Sequence, residues 1–386
     1  MSRPSLDHAA NCHERTTRRR VHPPRHQPWN GLSPTEILKR YRVGRTPPLK
    51  VLDILISLFN TQHTATQKTV SFKTRQERAD FLRRFFRDLQ CKGGVKTLPD
   101  PRNLGDRHVR AMVGVWQQEK LVPATIQTYL SFLRGLALWT GKPGFIRKPS
   151  FYGLSREEYE RHDASGEDKS WTAKGIDIDA LIEDICKYDP YIGVSMRLIR
   201  TMGLRRKEAL MFRPWSCVVP FEDTGLPLDK RQADWYAAIV AGSKGKRPRH
   251  IPLDSPQRLA AIEQARSLAA HRDAHMGRPG ASLKQSMKRF MYVMVKFNIT
   301  KKALGVTAHG LRHDVLIGKF EELTGQPVPI RGGLKLPKGI DHPARQAVAE
   351  LAGHARRRAS NAYLGGVLQR KRETMESDVE GQADIV

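Results

Sequence analysis

Residues 309–313 read His-Gly-Leu-Arg-His, and four other short elements accompany them. These are Gly203-Leu204-Arg205-Arg206-Lys207-Glu208, Lys244 within SKGKRPRHIPL (243–253), Leu351-Ala352-Gly353-His354, and Tyr363. Singly, each says little. An arginine and a glutamate three residues apart on a helix usually pair, and a lone tyrosine is usually packing. Their order along one half of the chain is less ordinary.

Around these elements the periodicity predicts helices over about Asp177–Lys187 and Pro190–Thr201, with Gly203 as the stop. Strand-like runs follow at Cys217–Val219 and Trp235–Val240, leading into the hairpin-like 243–253 segment. Helical spacing returns over Leu283–Phe297, where Met287, Phe290, Met291 and Met294 read as a core stripe. Upstream, residues 46–144 predict a small bundle of four amphipathic helices. One carries Leu52, Leu55, Leu58 and Phe59. The second opens on a Thr74-x-x-Glu77 capping box, the third carries Val109–Trp116, and the fourth runs from Thr125 through Leu136 to a stop at Gly141. The expected class is mainly α with a small antiparallel β-sheet, an α+β chain.

The 386 residues hold 67 Lys and Arg against 39 Asp and Glu, a net charge of +28. An excess of that size makes a compact chain repel itself unless a polyanion is near, so nucleic acid is the expected partner. No stretch approaches 18 apolar residues and the first twenty lack an apolar run, so neither a membrane span nor a signal peptide is expected. Cys12, Cys91, Cys186 and Cys217 are too scattered for a zinc site or disulfide framework, which suits a reducing cytoplasm. Residues 1–45 carry ten Arg and Lys against three acids and read as a flexible basic arm; 145–172 read as a polar linker and 367–386 as a tail.

Taken together, the five elements resemble the catalytic domain of the tyrosine recombinases, the phage-integrase family, and more loosely the type IB topoisomerases. There an Arg follows a Gly-Leu turn, a Lys sits on a β-hairpin, His-x-x-Arg follows, and Gly-His precedes a nucleophilic Tyr by nine residues, as His354 precedes Tyr363 here. The resemblance covers roughly 173–366, and the 46–144 bundle suits the family's SAM-like core-binding domain. It implies a site-specific recombinase or integrase that cuts and rejoins double-stranded DNA through a 3′-phosphotyrosyl bond. It also implies a tetramer around a Holliday junction, with accessory DNA-bending or directionality factors as further partners. A bacterial mobile element and a cytoplasmic, nucleoid-associated location follow from the same likeness.

Residue chemistry points the same way. A phosphodiester under attack gathers negative charge on its equatorial oxygens, so fixed cationic donors are wanted there. Arg205 and Arg312 supply planar forks that never deprotonate, and His309 and His354 add donors. Tyr363 is the expected nucleophile; a free phenol, with a pKa of roughly 10, is ionised only about one part in a thousand at pH 7. In the family the hairpin lysine protonates the leaving 5′-oxygen, a role falling on Lys244. Glu208 and His313 are expected to support. Arg206, Lys246, Arg247 and Arg249 are expected to touch the DNA backbone. Exchanging one phosphoester for another needs no ATP, and the arginines do what a metal does elsewhere, so no cofactor is expected.

Two departures stand out. The usual Leu-Gly-His is Leu-Ala-Gly-His, and 42 residues separate Arg312 from His354. The excess falls on the Gly- and Pro-rich 324–345, read as a surface loop whose Arg331, Lys335 and Lys338 could reach DNA. Two other readings remain: a DNA-binding protein with silent chemistry, and a topoisomerase-like enzyme relaxing any duplex as a monomer.

Overall fold

The computed structural model describes residues 29, 31–62, 69–161, 164–243 and 247–366. Most of the basic arm, Cys12, Lys244, Lys246 and the 367–386 tail lie outside the described residues. Those described fall into two compact units, divided between Arg161 and His162.

The first unit comprises α1 (Pro34–Arg40), α2 (Pro48–Phe59), α3 (Phe72–Cys91), α4 (Asp106–Gln118), α5 (Pro123–Trp139) and the short α6 (Arg156–Tyr159). The four expected stripes form its core: Leu52, Leu55, Leu82, Phe86, Val109, Met112, Leu130 and Leu133 are all essentially inaccessible. Phe81 stacks on Tyr129 with ring centres 4.3 Å apart, joining α3 to α5.

Three local expectations change. α3 begins a residue or two earlier than Thr74, because the Ser71 hydroxyl accepts from Thr74 N and serves as N-cap. The arm is not loose throughout: Ser33 and Glu36 form a capping box that starts α1, and Ile37 is buried. The 145–172 stretch is more than a linker. Ile146, Tyr152 and Leu154 enter the first core, while Trp171 is fully buried in the second unit.

The second unit contains α7 (Ile178–Tyr188), α8 (Pro190–Met202), α9 (Arg206–Met211), β1 (Val218–Pro220), β2 (Trp235–Ile239) and β3 (Arg249–Pro252). It continues with α10 (Pro256–Leu268), α11 (Leu283–Lys296), α12 (Gly310–Thr324), α13 (Lys338–Leu351) and α14 (Asn361–Leu364). The strands form an antiparallel sheet in the order β1-β2-β3, with Ala237 opposite both Val218 and Ile251. The expected fold class holds. In the methionine stripe, Phe290 and Met294 are buried but Met291 is 47% exposed. A second, smaller core gathers Leu316, Ile317 and Phe320 of α12, Val348 of α13, and Tyr363 and Leu364 of α14. The 324–345 segment is only partly loop. Val328 is buried, Pro329–Arg331 make a 3-10 turn, and α13 starts at Lys338, running through Pro343.

Candidate active site

The two arginines share one acceptor. Arg205 Nη2 donates to the Ala352 carbonyl at 2.9 Å and Arg312 Nη2 donates to the same oxygen at 2.5 Å. Arg312 Nη1 donates to the Gly203 carbonyl, and Nε donates to the Tyr363 hydroxyl at 3.2 Å. Arg312 is fully buried at the start of α12, so each of its three nitrogens has a fixed acceptor, as a buried cation requires. Burial, with some repulsion from Arg205 and Arg249, lowers its pKa to about 10, which leaves it charged at neutral pH.

Arg205 caps α9. Its Nη1 donates to Glu208 at 2.7 Å, and its Nη2 lies 3.3 Å from His354 Nε2. Glu208 is 1% exposed and also accepts from the Arg205 amide and from both terminal nitrogens of Arg249, at 3.1 and 2.7 Å. Burial pushes this carboxyl up, but hydrogen bonds and charge from Arg249 and Arg205 outweigh it, and its pKa falls to about 2. Gly353 makes the cluster possible. Its φ of +68° suits glycine, and a Cβ there would lie 3.1 Å from Arg249 Nη1 and 3.5 Å from Arg205 Nη1.

Tyr363 sits on the single turn of α14 with 6% of its surface exposed. Its ring meets His313 edge to face at 4.9 Å, with His309 and His354 at 6.2 and 6.3 Å and the Arg312 guanidinium at 5.5 Å. Arg345 secures the turn: Nη1 donates to the Asn361 side chain at 2.9 Å and to the Gly365 carbonyl at 3.3 Å, while Nε pairs with Asp341. Burial and the nearby cations lower His309 to about 4 and His313 to about 3, so both are neutral at pH 7. A neutral imidazole still donates one N–H.

Of the expected catalytic set, the structure brings Arg205, His309, Arg312, His354 and Tyr363 together, with Glu208 and His313 packed among them. Lys244 and Lys246 lie outside the described residues. The DNA-contact expectations need correcting at two positions, Arg249 and Arg331. Arg249 is buried and spent on Glu208. Arg206 is half-buried, with Nη1 2.5 Å from Met291 Sδ and its guanidinium over the Phe290 ring. Arg331 is held by Asp168 at 2.8 Å, Glu321 at 3.0 Å and the Ser170 hydroxyl at 3.1 Å, so it ties chain to chain. Arg247, Lys335 and Lys338 are exposed. Arg247 lines a cavity of about 520 Å³ with Arg249, His250, Lys319, Gly353 and His354.

Sequence reasoning missed Arg345 and the inward role of Arg249. The second had a signal. Along β3 the side chains alternate, and Arg249 shares the face of the core residue Ile251.

A family model described as integrase matches residues 164–316, and one described as phage integrase, N-terminal, matches 59–145. The chain belongs to the phage-integrase family of tyrosine recombinases. The integrase match spans Arg205, Lys244, His309 and Arg312 and ends before His354 and Tyr363. No curated protein matches. Among solved structures, this integrase-family chain is similar to a lambda integrase dimer bound to a COC′ core site, with TM-score 0.51 and 14% identity over 82% of this chain and 96% of that one. It is also similar to a lambda integrase tetramer bound to a Holliday junction, with TM-score 0.50 and 13% identity over 86% of this chain and 82% of that one. At such identities the likeness is one of fold. No helix among the described residues is long and apolar enough to cross a membrane.

Proposed function

We propose that this chain is a site-specific DNA recombinase that cuts and rejoins strands through a 3′-phosphotyrosyl bond. The observation that carries the reading is the 3.2 Å hydrogen bond from buried Arg312 to the Tyr363 hydroxyl, with His309 and His354 around the same ring and Arg205 3.3 Å from His354. The phenol gives up its proton to solvent water, the Tyr363 Oη–P bond forms, and the P–O5′ bond breaks. The leaving oxygen takes a proton, a role we assign to Lys244. Arg205 and Arg249 both pair with one carboxylate, Glu208; Arg312 adds a third guanidinium, sharing the Ala352 carbonyl with Arg205; and His309 and His313 are neutral. That leaves two positive charges unmatched, the complement of a pentacoordinate phosphorus bearing two negative ones.

DNA is the proposed partner and a tetramer on a Holliday junction the proposed working assembly, consistent with the lambda integrase complexes similar in fold. Integration or excision of a bacterial mobile element, in the cytoplasm and with accessory DNA-bending factors, is the proposed setting. The chemistry is proposed to run without metal or ATP.

A duplex nicked beside the crossover site tests this, because the short product diffuses away and traps the cut. The expected result is a covalent adduct mapped to Tyr363, formed equally in EDTA and abolished in Y363F with DNA binding retained. Binding without any adduct would establish the silent DNA-binding reading. Relaxation of arbitrary supercoiled DNA by a monomer would establish the topoisomerase-like one.

A further inference from the structure

The segment that enters the second unit carries a cation that the family motifs leave unassigned. Lys169 is exposed, and among the described residues its ammonium makes no hydrogen bond or ion pair. Its neighbours are fixed on both sides. Asp168 is held by Arg331 and by the Ser170 amide, and the Ser170 hydroxyl accepts from Arg331 as well. The Trp171 and Thr172 amides donate to Asp314 of α12 at 2.9 and 3.1 Å, and the Trp171 indole donates to the Thr307 carbonyl at 2.8 Å.

This strap lies directly on the His-Gly-Leu-Arg element. A Cβ on Gly310 would come 2.5 Å from the Lys169 carbonyl oxygen and 2.7 Å from the Trp171 ring, so only glycine lets the strap run so close to His309. The Lys169 charge is accordingly felt at both His309 and His313. The strap thus sets an exposed, unpaired ammonium on the segment that runs over His309, free to meet an anion brought to the Tyr363 site.

We propose that Lys169 is a further catalytic residue, a second lysine whose ammonium donates to a non-bridging oxygen of the phosphate attacked by Tyr363. The inference rests on the recombinase reading. Lys169 keeps its proton throughout; no bond at its nitrogen forms or breaks, and it offsets charge that grows on the phosphate oxygens.

The test uses the full chain in single turnover at saturating nicked DNA, comparing K169A, K169Q and K169R with the wild type. K169A and K169Q are expected to form adduct about 10- to 100-fold more slowly with DNA affinity unchanged, and K169R to recover most of the rate. A substrate with sulfur at the bridging 5′ position, which leaves without needing a proton, should rescue K244A and leave K169A slow. An unchanged K169A rate overturns the proposal and leaves the recombinase reading standing. So does rescue of K169A by sulfur to the extent seen for K244A. Failure of the wild type to form any adduct overturns both.

Discussion

Glu208 accepts four hydrogen bonds from two arginines, and its burial makes each of them matter. Removing Arg249 leaves a buried carboxylate short of a partner, an event that typically costs about 3–5 kcal/mol. R249A is expected to melt well below the wild type in a denaturant titration, whereas R247A, altering an exposed side chain, is not. The pH response follows from the same neighbourhood. Glu208 has a folded pKa near 2 against an ordinary 4.5, so its contribution is present above 4.5 and is lost as pH falls toward 2. His309 and His313, ordinarily at 6.5, titrate near 4 and 3 when folded, so below pH 6.5 the unfolded chain takes up their protons first. All three terms act in one direction: stability falls on acidification, each histidine adding up to about 1.4 kcal/mol per pH unit within its window. H313F is expected to flatten the curve between pH 6.5 and 3, measured by urea midpoints; an unchanged slope would contradict the assigned burial effect.

Among elements, the informative one is the 324–345 segment. Its glycines and prolines signalled a loop, and half of it is one, but α13 begins inside it because Ala344 and Val348 find a core in α12. Composition carries no record of such a tertiary partner. Arg331 shows the same gap: a basic residue in a polar stretch reads as a DNA contact until its two carboxylates are seen. R331A is therefore expected to leave DNA affinity and its salt slope as they were. It should raise amide exchange over 164–172 and slow adduct formation, measured by hydrogen–deuterium exchange and the nicked substrate. By contrast, the four bundle stripes, two of the three strands and the order of the site residues were legible, since periodicity and spacing are written locally, whereas the 243–253 segment read as a hairpin of its own supplies only β3, paired back onto β2. Positions that depend on distant chain, such as Arg345 gripping the Tyr363 turn, were not.

For the molecule as a whole, charge sets the terms. A net +28 facing a phosphate polyanion releases condensed ions on binding. Affinity for non-specific duplex is expected to fall about 10³-fold or more between 50 and 200 mM salt, in proportion to the number of phosphates engaged. A slope near zero in a fluorescence-anisotropy titration would show that the excess charge does not face DNA.

The oxygen that holds Arg205 and Arg312 side by side belongs to the main chain at residue 352. A replacement small enough for this buried position leaves the acceptor standing, so the pairing rests on the path of the polypeptide rather than on the side chain. Moving that peptide plane, by lengthening or shortening the turn after α13, would unseat both guanidiniums together, and no single arginine substitution reproduces that outcome.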